Sequence, residues 1–353
     1  MLFEVGCGEM TERTHIAALD GLRAIACLIV LILHAYHFSF GAEYPMTSWL
    51  FTMKGVPKVG VWLFFALSAF LLGMQLITRS VPLRDFIIGR VLRIVPPFVA
   101  AIVFYRLVGT LGIDDWSSLW QVLAVPVGHL WTIPAELSFY LFLPFVVTIA
   151  LFASDRAGPG SGVVLIVLMA IAAAVLWPPL QTTMSATWCG WYAANFLSGV
   201  AGAFIATKFP RPATSAARAF GIIALVAIVG FIALVELRTL GDDPDILLNK
   251  HFIIGPLWAV IVYAVFVAPP RFLTARPMVL IGKWSFSIYL FHWGIVVWAG
   301  ILFPAPLAFL IGSMVSIAAG YLGYRFIERP TYAMRRWLET GQRASAEIKN
   351  ASI

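Results

Sequence analysis

Ten long apolar stretches run through the sequence, and they limit the possible folds more than any other feature. Each has roughly the 20 residues that a helix needs to cross a membrane. Hydrophobic residues make up 61% of the 353 residues and charged residues 12%, whereas a soluble domain has about 45–50% and about 25%. We therefore predict an all-α fold, a polytopic membrane helix bundle of about ten transmembrane helices. The predicted spans are residues 22–40, 59–78, 95–113, 129–152, 162–178, 189–207, 219–237, 251–268, 284–302 and 305–325.

The organisation of the chain predicts one domain. No repeat or long linker divides it, so we expect a single transmembrane domain over residues 1–353, with a short cytoplasmic tail at about residues 326–353. The three cysteines, Cys7, Cys27 and Cys189, are widely spaced, which favours neither a disulfide framework nor a zinc site. No metal is expected.

Lysine and arginine residues concentrate in every second connection between the predicted spans. This asymmetry predicts that both termini lie on the cytoplasmic side. It also accounts for the net charge of +7 without a nucleic-acid partner. We therefore expect a multi-pass protein of the bacterial inner membrane, with the lipid bilayer as its surroundings. The basic residues assigned to inner connections are Arg79, Arg84, Arg90, Arg93, Arg156, Lys208, Arg211, Arg218, Arg271, Arg276 and Lys283.

Four polar residues lie at or within the first span: Asp20, Arg23, His34 and His37. Arg23 and His34 are eleven residues apart, so they lie within about 20° on one helical face and roughly 16 Å apart along the axis. Because an ionisable group inside a membrane is costly, His34 is a functional candidate. Simpler roles stay open, namely Asp20 as a helix N-cap, Arg23 as a topology charge and His34 as an interhelical hydrogen-bonding group.

A basic segment precedes the predicted third span. Arg90 and Arg93 are three residues apart and therefore neighbours on one helical face. Pro96 and Pro97 follow, and we predict that they begin the third span, because proline is tolerated in a first helical turn. Two guanidinium groups beside a helix start indicate a phosphate clamp. Pairing with anionic lipid headgroups explains the same residues equally well.

Two further segments bring polar groups into predicted spans. Glu136 follows the predicted helix start at Pro134. The helix dipole favours an anion at this position. A functional role as the partner of a histidine is also open. Ser285 and His292 are seven residues apart on one stripe of the ninth span, with Tyr289 close to it. Helical rise places His34, Glu136 and His292 in the outer half of the membrane, where they can meet.

Six segments in order resemble the acyltransferase-3 family of integral membrane O-acyltransferases, which includes O-antigen and Nod-factor acetylases. The resemblance covers nearly the whole chain. Three positions differ from the usual family pattern: Ala69 replaces a glycine, and Leu137 and Ser138 replace a Glu-Gln pair, so a second carboxylate is missing. The matching segments are Leu19–His34 (Arg, ten residues, His), Gly60–Leu71, Arg90–Arg93, His129–Pro144, Ser285–His292 and Phe326–Pro330.

The resemblance implies a membrane O-acyltransferase that moves an acyl group, expected to be acetyl, from cytoplasmic acyl-CoA to a hydroxyl of a sugar or other envelope or secreted acceptor. It places the phosphates of the donor, acetyl-CoA, near Arg90 and Arg93, with Arg23 beside them. The thioester would reach His34. A neutral imidazole at this position would deprotonate the acceptor hydroxyl.

The implied catalytic residues are His34, Glu136 and His292. Glu136 would orient His34 or the acceptor, and His292 would help to bind the acceptor or stabilise the oxyanion. Direct transfer and a transient acyl-histidine both stay open. The residues expected to line the pocket are Asp20, His37, Trp131, Tyr140, Ser285 and Tyr289.

Two other classes of protein fit part of the pattern. Ten spans with prolines and intramembrane charges also suit a transporter or a flippase of a lipid-linked sugar or small metabolite. The missing inverted repeat argues against this alternative. A metal site formed by His34, His37, His292 and Glu136 is a further alternative, since the two first-span histidines have a suitable spacing. The sequence leaves the acceptor, the acyl chain length and the oligomeric state open.

Overall fold

The computed structural model describes residues 7–41, 55–79, 81–111, 128–183, 186–239, 247 and 249–334, and these residues form helices and connections without a β-strand. Within these ranges, nine helical segments are long and apolar enough to cross a membrane, and a tenth apolar helix has 17 residues. The predicted all-α bundle of about ten helices is therefore confirmed, while the orientation of the termini stays a prediction. The helices are α1 (Cys7–Phe40), α2 (Pro57–Thr78), α3 (Leu83–Val108), α4 (Thr132–Ala157), α5 (Pro159–Leu176), α6 (Ala193–Lys208), α7 (Thr214–Thr239), α8 (His251–Val267), α9 (Arg276–Leu302) and α10 (Ala305–Gly323).

The first and ninth helices form the centre of the bundle. α1 packs most extensively on α9 and also contacts α2, α8 and α10. Glycines allow these close approaches, because a Cβ atom at Gly282 of α9 would collide with the backbone of Asp20, and one at Gly60 of α2 would lie 2.6 Å from the carbonyl oxygen of Ala26. Small residues at helix contacts are typical of membrane bundles, where close packing replaces the hydrophobic effect.

The third helix begins twelve residues earlier than predicted, at Leu83 instead of residue 95. Pro96 and Pro97 lie inside α3, so the prediction that they begin the span is wrong. Each proline removes one helical hydrogen bond, but the apolar residues before them keep the helix continuous, and Phe86 is buried against the bundle. Arg90 and Arg93 therefore lie on the helix itself, one to two turns before the prolines.

Two other helices also begin before their apolar stretches. α1 begins at Cys7, so Asp20 lies inside the helix and the N-cap alternative is wrong. α9 begins at Arg276 instead of residue 284. At the other end of the chain, a π-helical turn at Tyr324–Glu328 prolongs α10, and helix continues to residue 334. The rest of the predicted tail lies outside the described residues.

Candidate active site

A cavity of about 240 Å³ lies between α1, α2, α3, α4 and α9. Its walls contain apolar side chains near the middle and charged side chains toward the end where α1 enters the bundle. The polar residues that line it are Asp20 and Arg23 of α1, Ser68 and Gln75 of α2, Arg90 and Arg93 of α3, Thr132, Glu136 and Tyr140 of α4, and Ser285 and Tyr289 of α9. Most of the residues that the sequence indicated are thus brought to one place.

Three arginines, Arg23, Arg90 and Arg93, line the same end of this cavity. Nη1 of Arg23 donates a hydrogen bond of 2.8 Å to Oδ1 of Asp20, one helical turn earlier. Arg90 is almost completely buried, with 8% of its surface exposed. Because α1 and α3 both contribute, the cluster depends on tertiary packing and not only on the spacing of Arg90 and Arg93.

Glu136 faces the middle of the cavity, and its Oε1 accepts a hydrogen bond of 3.3 Å from the hydroxyl of Ser68. The sequence suggested Glu136 as the partner that orients His34. Its interactions are instead with Ser68 of α2, with Tyr140 one turn later and with the charges of Arg93 and Arg23, while His34 is bonded to His292. The carboxylate is thus placed toward whatever enters the cavity.

His34 and His292 form a hydrogen-bonded pair beyond the inner end of the cavity. Nδ1 of His34 lies 2.9 Å from Nε2 of His292, and the rings are nearly parallel, with an interplanar angle of 11°. His292 is completely buried, whereas His34 is half-buried. The prediction that these two residues can meet is thus supported by their geometry.

The backbone determines which nitrogen atoms in the pair carry protons. Nδ1 of His292 lies 2.7 Å from the carbonyl oxygen of Tyr289, and because a carbonyl only accepts, this nitrogen donates. In a neutral imidazole the other nitrogen, Nε2, is then an acceptor. Nδ1 of His34 must therefore donate to it, which leaves Nε2 of His34 with a free lone pair.

Tyr289 and Phe64 separate the cavity from the histidine pair. Both line the inner end of the cavity, and their rings are 6.3 Å apart in an edge-on arrangement. The Tyr289 hydroxyl donates to the carbonyl oxygen of His129 and accepts a hydrogen bond of 3.1 Å from Thr132. The tyrosine that lines the cavity and lies next to His292 is therefore held at two points.

His129 and Trp293 complete the surroundings of the histidine pair. The rings of His129 and Trp293 are stacked, with 5.5 Å between their centroids, and both lie edge-on to a catalytic candidate, His129 to His292 and Trp293 to His34. His129 is buried, and its Nδ1 has no hydrogen-bond partner among the described residues. The aromatic walls limit how the two imidazole rings can rotate.

Two predicted pocket residues lie elsewhere. His37 does not line the cavity; it is one turn beyond His34 and its ring lies edge-on to that of Phe38. Trp131 is buried and stacks on Tyr192, with 5.2 Å between the ring centroids. Both predictions were wrong because the two residues lie in or next to a motif, but their side chains face neighbours outside the cavity.

The metal alternative does not fit this arrangement. No group of three or more histidine, cysteine, aspartate or glutamate side chains that could hold a metal ion occurs among the described residues. His37 lies edge-on to Phe38 and Glu136 bonds to Ser68, whereas His34 and His292 bond to each other.

A second buried carboxylate, Glu328, lies at the end of α10 and was not identified from the sequence. It is 1% exposed and accepts hydrogen bonds from the hydroxyls of Ser287, at 2.5 Å, and Tyr332, at 2.9 Å. Glu328 and Tyr332 both act electrostatically on Arg93 across the helix contact. The closing motif thus connects α9 and α10 behind the arginine cluster.

Several site residues were therefore missed although their motifs were recognised. Ser68 lies in the second-span motif and Glu328 in the closing motif, while His129 is the first residue of the fourth-span motif. A polar residue within an apolar stretch was the available signal for Ser68. For Glu328 the signal was a carboxylate at the end of the last span, where it resembles an ordinary interfacial charge.

Comparison with known proteins gives a consistent family assignment. The sequence profile of the acyltransferase-3 family, described as an acyltransferase domain, matches residues 16–325. An O-acetyltransferase OatA of Staphylococcus aureus is 24% identical over 363 aligned positions, covering 91% of this chain and 58% of the relative. A peptidoglycan O-acetyltransferase OatA of Listeria monocytogenes is 26% identical over 374 positions, covering 90% and 56%. The chain thus spans little more than half the length of these curated relatives. No solved structure matches significantly.

Proposed function

Because the chain belongs to the acyltransferase-3 family, we propose that it is a membrane O-acetyltransferase that moves an acetyl group from acetyl-CoA to a hydroxyl of a cell-envelope glycan. The observation that carries this proposal is the His34–His292 pair, which lies behind a cavity with three arginines at its other end. The names of the relatives support acetyl as the group and peptidoglycan as an acceptor class. We place the donor on the cytoplasmic side, where the basic residues are expected.

The size of the cavity supports a binding mode in which only part of the donor enters it. At about 240 Å³ it is smaller than the roughly 300–1,000 Å³ of sites that enclose a drug-sized ligand. It therefore suits the thin pantetheine arm, while the nucleotide stays at the mouth. Arg23, Arg90 and Arg93 would bind the phosphates there, since a guanidinium forms paired hydrogen bonds to phosphate oxygens.

The thioester would pass Glu136 and reach the histidine pair once the Tyr289 side chain moves aside. Tyr289 leaves one carbonyl and one hydroxyl partner when it moves, and its released O–H becomes available to the thioester oxygen. A hydrogen-bond donor directed at the thioester carbonyl oxygen would stabilise the oxyanion intermediate. Glu136, held by Ser68, would then position the acceptor or the amides of the arm.

His34 is the proposed general base. Its Nε2 accepts the proton of the acceptor hydroxyl while the acceptor oxygen attacks the thioester carbonyl carbon. The positive charge that forms on His34 is stabilised through Nδ1–H, which donates to His292 and, through it, to the Tyr289 carbonyl. The C–S bond then breaks, the proton passes from His34 to the thiolate, and the products are an O-acetyl ester and CoA. Direct transfer needs no covalent enzyme intermediate, and attack by His34 itself is the alternative route.

A transporter remains the rival function, and the cavity allows a direct comparison. Its lining includes Tyr289 and Phe64 but neither His34 nor His292. A transporter moves its substrate without consuming a thioester. Thiol release from acetyl-CoA is thus the measurement that separates the two functions.

The test uses the full chain in proteoliposomes with acetyl-CoA and peptidoglycan fragments. We expect thiol release together with a mass increase of the fragments by one acetyl group, and both should be lost in His34→Ala. His37→Ala is the matched control, because it removes an imidazole one turn away on the same helix, outside the His34–His292 pair. Retained acetylation in His34→Ala would contradict the assigned base, and transfer of fragments across the membrane without thiol release would support the rival.

A further inference from the structure

A second cavity of about 570 Å³ lies along α6, between α5 and α8. It is an open groove bordered by exposed apolar side chains such as Ile171 and Phe220, and it shares no lining residue with the candidate active site. Its floor is a stripe of mostly small side chains on α6, which leaves space between the larger side chains of the two walls. The floor consists of Ala194, Leu197, Ser198, Ala201, Gly202 and Ile205.

Almost all of the side chains that line the groove are apolar. Only Ser198 and Tyr263 among its lining residues have polar side chains. The Ser198 hydroxyl is already satisfied, because it donates to the carbonyl oxygen of Ala194 at 2.5 Å. A ligand in the groove therefore gains contact mainly through apolar surface, as a hydrocarbon chain does.

The dimensions of the groove suit a single chain. From Ala194 to Ile205 the floor spans eleven residues of helix, which corresponds to roughly 16 Å. This is about half of a hydrocarbon core of about 30 Å, the share that the chains of one leaflet fill. The groove is thus long enough for one acyl chain of a membrane lipid.

Basic residues surround one end of the groove. Lys208 ends α6, Arg211 lies in the connection and Arg218 lies in α7 two residues before Phe220, which lines the groove. Arg211 is stacked 5.0 Å above the ring of Phe266, and its charge acts on the groove residue Tyr263. No aspartate or glutamate occurs between residues 205 and 235. This end of the groove therefore favours an anion.

We propose that the groove is a binding site for an anionic phospholipid, with one acyl chain in the groove and the headgroup phosphate at Lys208 and Arg211. The two features are independent, since the apolar stripe selects hydrocarbon and the cations select negative charge. Their combination within one chain length distinguishes this site from an ordinary lipid-facing surface. The site is separate from acyl transfer and does not depend on the proposed function.

The test measures lipid binding by native mass spectrometry of the detergent-purified full chain, with added phosphatidylglycerol or phosphatidylcholine of identical chains. We expect phosphatidylglycerol to bind more tightly. Replacing Lys208 and Arg211 together by glutamine should weaken its binding roughly 25-fold, because each cation near a membrane surface contributes a factor of about five. Arg276→Gln, an exposed arginine at the start of α9, is the matched control and should leave binding unchanged.

Two variants test the groove itself. Ala201→Phe on the floor and Ala170→Phe on the α5 wall should each displace the bound lipid, and the two changes act from different helices. Equal binding of the two lipids, or an unchanged affinity after the double glutamine change, would overturn the anionic site. Retention of the same lipid by both filled variants, with unchanged monodispersity, would overturn the groove as the place of the chain.

Discussion

Nδ1 of His34 lies 2.9 Å from Nε2 of His292, and this contact joins α1 to α9 through two residues that are 258 positions apart in sequence. The same imidazole of His292 is held at its other nitrogen by the Tyr289 carbonyl. The Tyr289 carbonyl therefore fixes a proton on Nδ1 of His292, and this in turn requires the proton of His34 to be on its Nδ1. We propose that His292 has the role that a carboxylate has in many catalytic triads, which is to hold the proposed base in one tautomer and to stabilise its charged form.

Replacement of His292 tests this relay. His292→Ala removes the acceptor for Nδ1–H of His34, so we expect kcat to fall by about 10²–10⁴, the usual contribution of a positioned acid–base group. His292→Gln offers a carbonyl oxygen in a similar place and should recover part of the loss. KM for acetyl-CoA should change little in both variants, because the proposed binding site of the donor phosphates, at Arg23, Arg90 and Arg93, does not include His292.

The control for this experiment is the KM for acetyl-CoA, which reports on donor binding. If His292→Ala instead raised KM for acetyl-CoA with unchanged kcat, His292 would belong to donor binding and the relay would be contradicted. Steady-state rates at several acetyl-CoA concentrations, with expression normalised by the amount of folded protein, distinguish the two results.

The arginine cluster leads to the opposite kinetic signature. Arg23→Gln and Arg93→Gln each remove a charge from the mouth of the cavity, and a hydrogen bond to a charged group contributes about 1.5–3 kcal/mol. We therefore expect KM for acetyl-CoA to rise roughly 10- to 100-fold in each variant, with a smaller effect on kcat. Arg84→Gln, an exposed arginine on the same helix as Arg93, is the matched control. An unchanged KM in both cluster variants would contradict the phosphate-binding assignment.

The tyrosine between the cavity and the histidine pair provides a third prediction. Tyr289→Ala opens the inner end of the cavity to His34, so water can reach a thioester that is bound there. We expect hydrolysis of acetyl-CoA without acceptor to increase relative to transfer, because exclusion of water prevents this side reaction. The measurement is the ratio of thiol released to acetyl groups transferred, and Tyr140→Phe, at the other end of the cavity, should leave the ratio unchanged. A ratio of one in Tyr289→Ala would show that Tyr289 does not separate water from the site.

The fold was largely predictable because hydropathy alone identifies helices that cross lipid. Helix starts were not, since α1, α3 and α9 begin two or more turns before the predicted spans, in segments interrupted by charged residues such as Arg90 and Lys283. Pro96 and Pro97 illustrate the limit: local propensity predicts a helix start at this pair, whereas packing of the preceding residues keeps α3 continuous.

The site was predictable as a set of residues but not as a set of contacts. The spacing of Arg23 and His34 places both on one face of α1 from helical geometry alone. The contact of His34 with His292 depends on how closely α9 approaches α1, which the glycine at 282 permits through a tertiary contact. Local sequence also does not reveal that Glu136 bonds to Ser68, because that bond requires the register between α2 and α4.

The buried carboxylate of Glu328 is the subject of the last prediction. Its two oxygen atoms accept from Ser287 and Tyr332, so Glu328→Ala leaves one buried and one half-buried hydroxyl without their acceptor, whereas Glu328→Gln keeps one acceptor oxygen. Interhelical hydrogen bonds in membrane proteins contribute on average about 0.6 kcal/mol and at most about 1.7 kcal/mol. We expect Ser287→Ala to destabilise within this range, and Glu328→Ala to destabilise more than Glu328→Gln. Thermal unfolding of the purified protein measures this order, with Ser316→Ala as the control, because the Ser316 hydroxyl bonds only within its own helix, to Gly312. Equal stability of Glu328→Ala and the unsubstituted protein would show that the carboxylate does not join α9 to α10.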